Sequence, residues 1–78
     1  MENEDDSVPG FVKGKRKQLR LTQPQLALKA GVGLRFIREM ERGKPTLRMD
    51  KVNQVLRLFG RELGLVPLHK EKLSHEES

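Results

Sequence analysis

The 78-residue sequence contains no cysteine. That absence rules out a disulfide framework and any thiolate metal site, and it fits a reducing compartment. No apolar run approaches the roughly 20 residues of a membrane span, and the N-terminus is acidic rather than signal-like. A cytoplasmic protein without membrane association is therefore expected. The chemistry of catalysis is missing as well: there is no Ser/His/Asp or Cys/His set, no glycine loop able to cradle a phosphate and no dense carboxylate cluster. His69 and His75 have no companion at metal-ligand spacing. Neither an enzyme, nor a metal, nor a cofactor is expected.

What is present is positive charge, unevenly placed. The net charge is +5, but residues 11–65 hold fourteen of the sixteen Lys and Arg against four acids (Glu39, Glu41, Asp50 and Glu62), a balance of +10. An acidic head (Glu2, Glu4, Asp5 and Asp6) precedes this region and a mixed polar tail follows it. A compact region this basic suits a polyanion. Membrane-surface binding fits less well, because no helix pairs a basic face with a large exposed apolar one. A chain of this length makes one domain with a small core, of the kind that oligomerisation often secures.

The stretch Thr22–Gly43 organises the rest. Thr22 is a candidate N-cap, Gln25 three residues on completes a capping box, and Pro24 is tolerated in the first turn. A helix over Gln23–Ala30 would stop at Gly31, where a left-handed residue costs glycine nothing. Gly33 then caps a second helix, Leu34–Arg42, that Gly43 ends in the same way. Leu26, Ala30, Val32, Ile37 and Met40 supply an apolar interior, with the small Ala27 where the helices cross.

Around this pair the periodicity gives two more helices. One spans about Pro9–Leu19, with Val12, Arg16 and Leu19 on one face and Phe11 beside them; the other, about Arg48–Phe59, carries Val52, Val55, Leu56 and Phe59 as core over Leu19, Leu26 and Ile37 and ends at Gly60. Lys44-Pro45-Thr46 is a breaker loop. From Arg61 to Leu68 the period changes to alternation, Gly64 and Pro67 argue against a helix, and a lone strand could not satisfy its backbone. Pairing of Leu63, Leu65 and Val66 with the same strand of a second copy is the economical solution; an extended arm packed on its own bundle is the alternative. Residues 1–8 read as a disordered acidic tail, 9–68 as the folded domain and 69–78 as a flexible tail in which Leu73 alone could anchor a partner.

The spacing Leu21-Thr22-Gln23-(x)2-Leu26-Ala27-(x)2-Ala30-Gly31-Val32, followed by Ile37-(x)3-Glu41-Arg42-Gly43, resembles the helix-turn-helix of the Xre/Cro/phage-repressor family. The resemblance implies an all-α, four- to five-helix phage-repressor-like bundle, with the short C-terminal β-strand pairing across a dimer. It supplies a partner for the inward-facing Arg16, since the family pairs a first-helix Arg with the Glu of the turn, here Glu41. It implies that Leu34–Arg42 enters the major groove of double-stranded DNA, with Gly33, Leu34, Arg35, Phe36 and Arg38 foremost. Gln23 is then placed at the backbone or an adenine, and Arg42, Lys44 and Arg48 at the flanking phosphates. Phe36 replaces the family's usual small hydroxyl residue, so contact with thymine methyls and packing against the preceding helix both remain open. The run Gly31–Thr46, then Asp50-Lys51-Val52 and the short strand, is similar to the HipB-type (y4mF-like) antitoxins. That likeness implies a homodimeric, nucleoid-associated bacterial repressor of its own operon. It would bind a palindromic operator, and its partner would be a HipA-like serine/threonine kinase toxin. A stand-alone phage-type repressor is the alternative.

Overall fold

The structure is a computed structural model that describes residues 7–68. Its described residues form four helices, α1 (Val8–Gln18), α2 (Gln23–Ala30), α3 (Leu34–Arg42) and α4 (Met49–Arg57). The acidic residues 1–6 and the tail 69–78 lie outside the described residues. Ser7 caps α1, accepting the Gly10 N–H on its hydroxyl at 3.2 Å, so the first helix begins one residue earlier than its pattern suggested. The α2 capping box is complete: Gln25 N–H donates to Thr22 Oγ1 (3.1 Å) and Thr22 N–H donates to Gln25 Oε1 (2.8 Å).

All four helices end in one way, with a backbone N–H bonding back across the last turn. The bonds are Leu21 to Arg16 O, Val32 to Ala27 O, Lys44 to Glu39 O and Arg61 to Leu56 O, each 3.0 Å long. The residue before each of these donors is left-handed. At three of them it is glycine; after α1 it is Arg20, at φ 59°, a conformation that costs an L side chain about 1 kcal/mol. Gly31 is held to glycine by its φ of 75°, and Gln54 Nε2, 3.2 Å from where a Cβ would stand, would have to give way slightly to any side chain there. That amide donates to the carbonyls of Ala30 and Gly31 (3.0 and 3.1 Å), tying α4 to the turn between α2 and α3.

Val12, Leu26, Ala27, Ala30, Ile37, Met40, Val52, Val55 and Leu56 form the core. Ala27 lets α2 and α3 approach closely, and α3 packs against both α1 and α2. One expectation is corrected. Leu19 does not join the core but is mostly exposed, because α1 stops at Gln18 and the left-handed Arg20 turns the chain away. Within the single chain Arg61–Leu68 forms no strand, the expected pairing being with a second copy. Leu63 instead turns back on its own bundle, half-buried against the core, and its N–H donates to Asn53 Oδ1 at 2.7 Å. Leu65 and Val66 are fully and largely exposed.

Candidate nucleic-acid interface

Helix α3 turns one face inward and the other to water. Ile37, Met40 and Glu41 are buried, whereas Arg35, Arg38 and Arg42 are exposed. The inward face is fixed by charge as well as by packing. Arg16 grips Glu41 bidentately, Nε to Oε2 at 2.7 Å and Nη2 to Oε1 at 3.0 Å, with the two side chains only 12% and 3% exposed. Two further bonds complete the cluster: Arg16 Nη1 donates to Leu21 O at 2.9 Å, and Gln23 Nε2 donates to Glu41 Oε1 at 3.0 Å. One carboxylate thus joins α1, the start of α2 and the end of α3. Burial alone would push the Glu41 carboxyl up. The hydrogen bonds from Arg16 and Gln23, with the charges of Arg16 and Lys13, outweigh burial and hold it below its ordinary value.

In front of this clamp lies a shallow polar basin of about 270 Å³, lined by Lys13, Gln23, Arg38, Glu41 and Arg42. With Glu41 neutralised by Arg16, the cations set its sign. It opens beside the N-terminus of α2, where free backbone N–H groups and the positive end of the helix dipole add to the attraction for an anion. The sequence offers Lys13, with Lys15, Lys17 and Arg20, only as a phosphate contact or a plain solubiliser on the outer faces of the first helix; of these four, Lys13 is the one that lines the basin. It stands three residues before Arg16, on the neighbouring strip of α1 next to α3. Gln23 is half-buried, and its bond to Glu41 leaves the amide oxygen and one N–H uncommitted.

The other expected contacts divide. Arg35 is 90% exposed and sits 3.3 Å from Glu39 across one turn, while Lys44 Nζ approaches the same carboxylate at 3.5 Å. Burial nudges Glu39 upward, but Lys44 and Arg35 together bring it below its ordinary value. Gly33 caps α3 at an ordinary φ of −74°, with no side chain on the cap and nothing within 4 Å of where a Cβ would stand. The fold does not demand glycine there; what its absence of a side chain provides is a bare helix N-terminus. Leu34 and Phe36 are half-buried, packed in part against the core with the rest of each side chain open to solvent. They stand three and four residues before Ile37 and Met40, the spacing that brings side chains onto one side of a helix. Arg48 is the N-cap of α4 and holds Asp50 bidentately at the surface (3.1 and 2.7 Å). No group of His, Asp and Glu among the described residues could hold a metal ion, and no helix among them is long and apolar enough to cross a membrane.

Residues 12–66 match a helix-turn-helix family model, HTH_3, a span that contains all of α2, α3 and α4 and the greater part of α1. Over 59 residues the chain is 44% identical to y4mF, an uncharacterized HTH-type transcriptional regulator of Sinorhizobium fredii (strain NBRC 101917 / NGR234), covering 76% of this chain and 78% of that protein. Helices, turns, clamp and sequence agree: the chain belongs to the helix-turn-helix family of transcription regulators.

Proposed function

We propose that the protein is a sequence-specific DNA-binding repressor, working as a homodimer on a palindromic operator. In this reading Arg35 and Arg38 read base edges, Gln23 and the bare N-terminus at Gly33 seat the backbone, and Arg42 and Lys44 hold flanking phosphates. The observation that carries it is the asymmetry of α3, whose back is locked by a buried ion pair and whose front presents arginines to open solvent beside a cationic basin. A rigid helix with a free basic face is what major-groove docking requires. Half-buried Leu34 and Phe36 serve chiefly to set the angle of that face. Dimerisation is assigned to the 61–68 arm, where exposed Leu65 and Val66 have no covering in the single chain. Two copies related by a two-fold axis would read half-sites about 34 Å apart.

We further propose that the repressed operon is the protein's own and that it encodes a HipA-like serine/threonine kinase, which this protein binds as antitoxin. The support is the likeness of residues 31–52 and the following segment to HipB-type antitoxins. The stand-alone reading is favoured by the description of the Sinorhizobium relative, which names transcriptional regulation alone. Footprinting on the upstream region of the gene tests DNA binding. A protected palindrome supports it; the absence of salt-sensitive affinity for any duplex overturns it. Co-purification with the product of the adjacent gene tests the antitoxin role, and a neighbour without a kinase fold leaves the stand-alone repressor.

A further inference from the structure

The basic basin lies within reach of a polyanion that the chain itself carries. Helix α1 runs along α3: Pro9 packs at the C-terminal end of α3, where a Cβ on Gly43 would stand 3.8 Å from Pro9 Cγ, and Lys13, about one turn further on, lines the basin with Arg38 and Arg42. Val8, Pro9 and Lys44 also line one shared depression. The chain therefore enters the fold at Ser7, one residue before the depression that Val8 shares with Lys44 and about 9 Å along α1 from Lys13. The six residues before that point are Met-Glu-Asn-Glu-Asp-Asp, four carboxylates in five positions. Extended, six residues reach about 20 Å, enough to cross the basin. Within residues 11–65 the charge is +10, and three of the four acids there already have cationic partners in Arg16, Arg35, Lys44 or Arg48. Arg38 and Arg42 have no ion pair within the described structure.

We infer that the acidic head, residues 2–6, docks on the basin formed by Lys13, Arg38 and Arg42 and competes there with the phosphates of DNA. The head then weakens binding to every duplex by the same factor, because each must displace it from the phosphate-binding basin, and base contacts of α3 are left to choose among sequences. The inference rests on the DNA-binding reading above for its consequence, but not for its geometry.

The test uses the full chain and a variant with Glu2→Gln, Glu4→Gln, Asp5→Asn and Asp6→Asn. In DNA-free protein the backbone amide signals of Lys13, Arg38, Arg42 and Lys44 should shift between the two proteins while those of α4 stay in place, and the differences should fade with salt. Affinity for a random duplex should rise about three- to tenfold in the variant at low salt. The gap should close as screening shortens from about 10 Å at 0.1 M to about 3 Å at 1 M. Unshifted amide signals overturn the inference even if affinity rises, because four lost charges then act only at a distance. Shifts that grow with protein concentration overturn it in favour of a head seated on a neighbouring copy. Unchanged affinity with shifted signals overturns the competition. If neither protein binds DNA, the function proposed above fails, and the amide signals still decide whether the head docks.

Discussion

Glu39 and Glu41 stand two residues apart on α3, each holding an arginine, and they do opposite jobs. Two residues on an α-helix are about 200° of rotation, so one carboxylate faces water and the other the core. Glu41 is 3% exposed and bound bidentately to Arg16, with Gln23 as a third partner. Glu39 is 24% exposed and shared between Arg35 at 3.3 Å and Lys44 at 3.5 Å, long contacts from side chains that extend into solvent. A buried pair is costly to break because each partner strands the other; an exposed pair exchanges readily for water or for a phosphate. The back of α3 is therefore architecture, and the front is a surface whose ion pairs are loose enough to be exchanged, as the proposed DNA docking would require.

The sharpest way to break this comparison is Glu41→Ala. It leaves Arg16 almost buried without its counter-charge, and unfolding titrations should show a loss of about 3–5 kcal/mol. Arg16→Met combined with Glu41→Leu should recover much of that loss, since the stranded charge goes with its partner. If Glu41→Ala alone costs less than about 1 kcal/mol, the clamp is not what holds the recognition helix. Acid sharpens the same point. The folded-state pKa of Glu41 lies below the ordinary 4.5. The stability it contributes is thus fully present above that value and is lost as pH falls through the lower, folded value. Wild-type stability should decline below about pH 4.5, and Glu41→Gln, already lacking the charge, should show a shallower acid limb.

On the front, Arg35→Ala and Lys44→Ala should separate reading from holding. Losing Arg35 should cost about 1–3 kcal/mol on the preferred operator and relax the choice of base at one position. Losing Lys44 should weaken all duplexes alike and flatten the dependence on salt by about one ion. The reverse pattern would exchange the two roles.

How much of this was readable in advance depends on how far apart the interacting residues are in the chain. The ends of α2 and α3 were legible, because a capping box spans three residues and a left-handed glycine acts where it stands. The Arg16–Glu41 pair, twenty-five residues apart, came only from family likeness. Contacts that depend on the angle between helices stayed hidden: Gln23 on Glu41, Lys13 beside Arg38, and Gln54 on the carbonyls that end α2. Leu19 shows the limit of periodicity, which gives the face of a helix but not the residue at which the helix stops. The alternation over 61–68 is a different case. Its apolar residues divide between Leu63, used by the chain itself, and Leu65 and Val66, left outward, a division that no single-strand pattern specifies.

The smallest expected effect is the most informative about the front. Glu39→Gln removes the carboxylate that occupies Arg35 and Lys44 while preserving size and helical preference. In the free protein the loss is slight, because both ion pairs are long and solvated. With DNA docked as proposed, the same carboxylate would sit on the face that meets phosphates, repelling the duplex while restraining Arg35 and Lys44. Its removal should therefore tighten DNA binding about two- to fivefold, equally on operator and random sequence, with thermal stability nearly unchanged. If Glu39→Gln instead weakens the operator alone, Glu39 orients Arg35 toward its base, and the exposed pair belongs with the buried one as a positioning device.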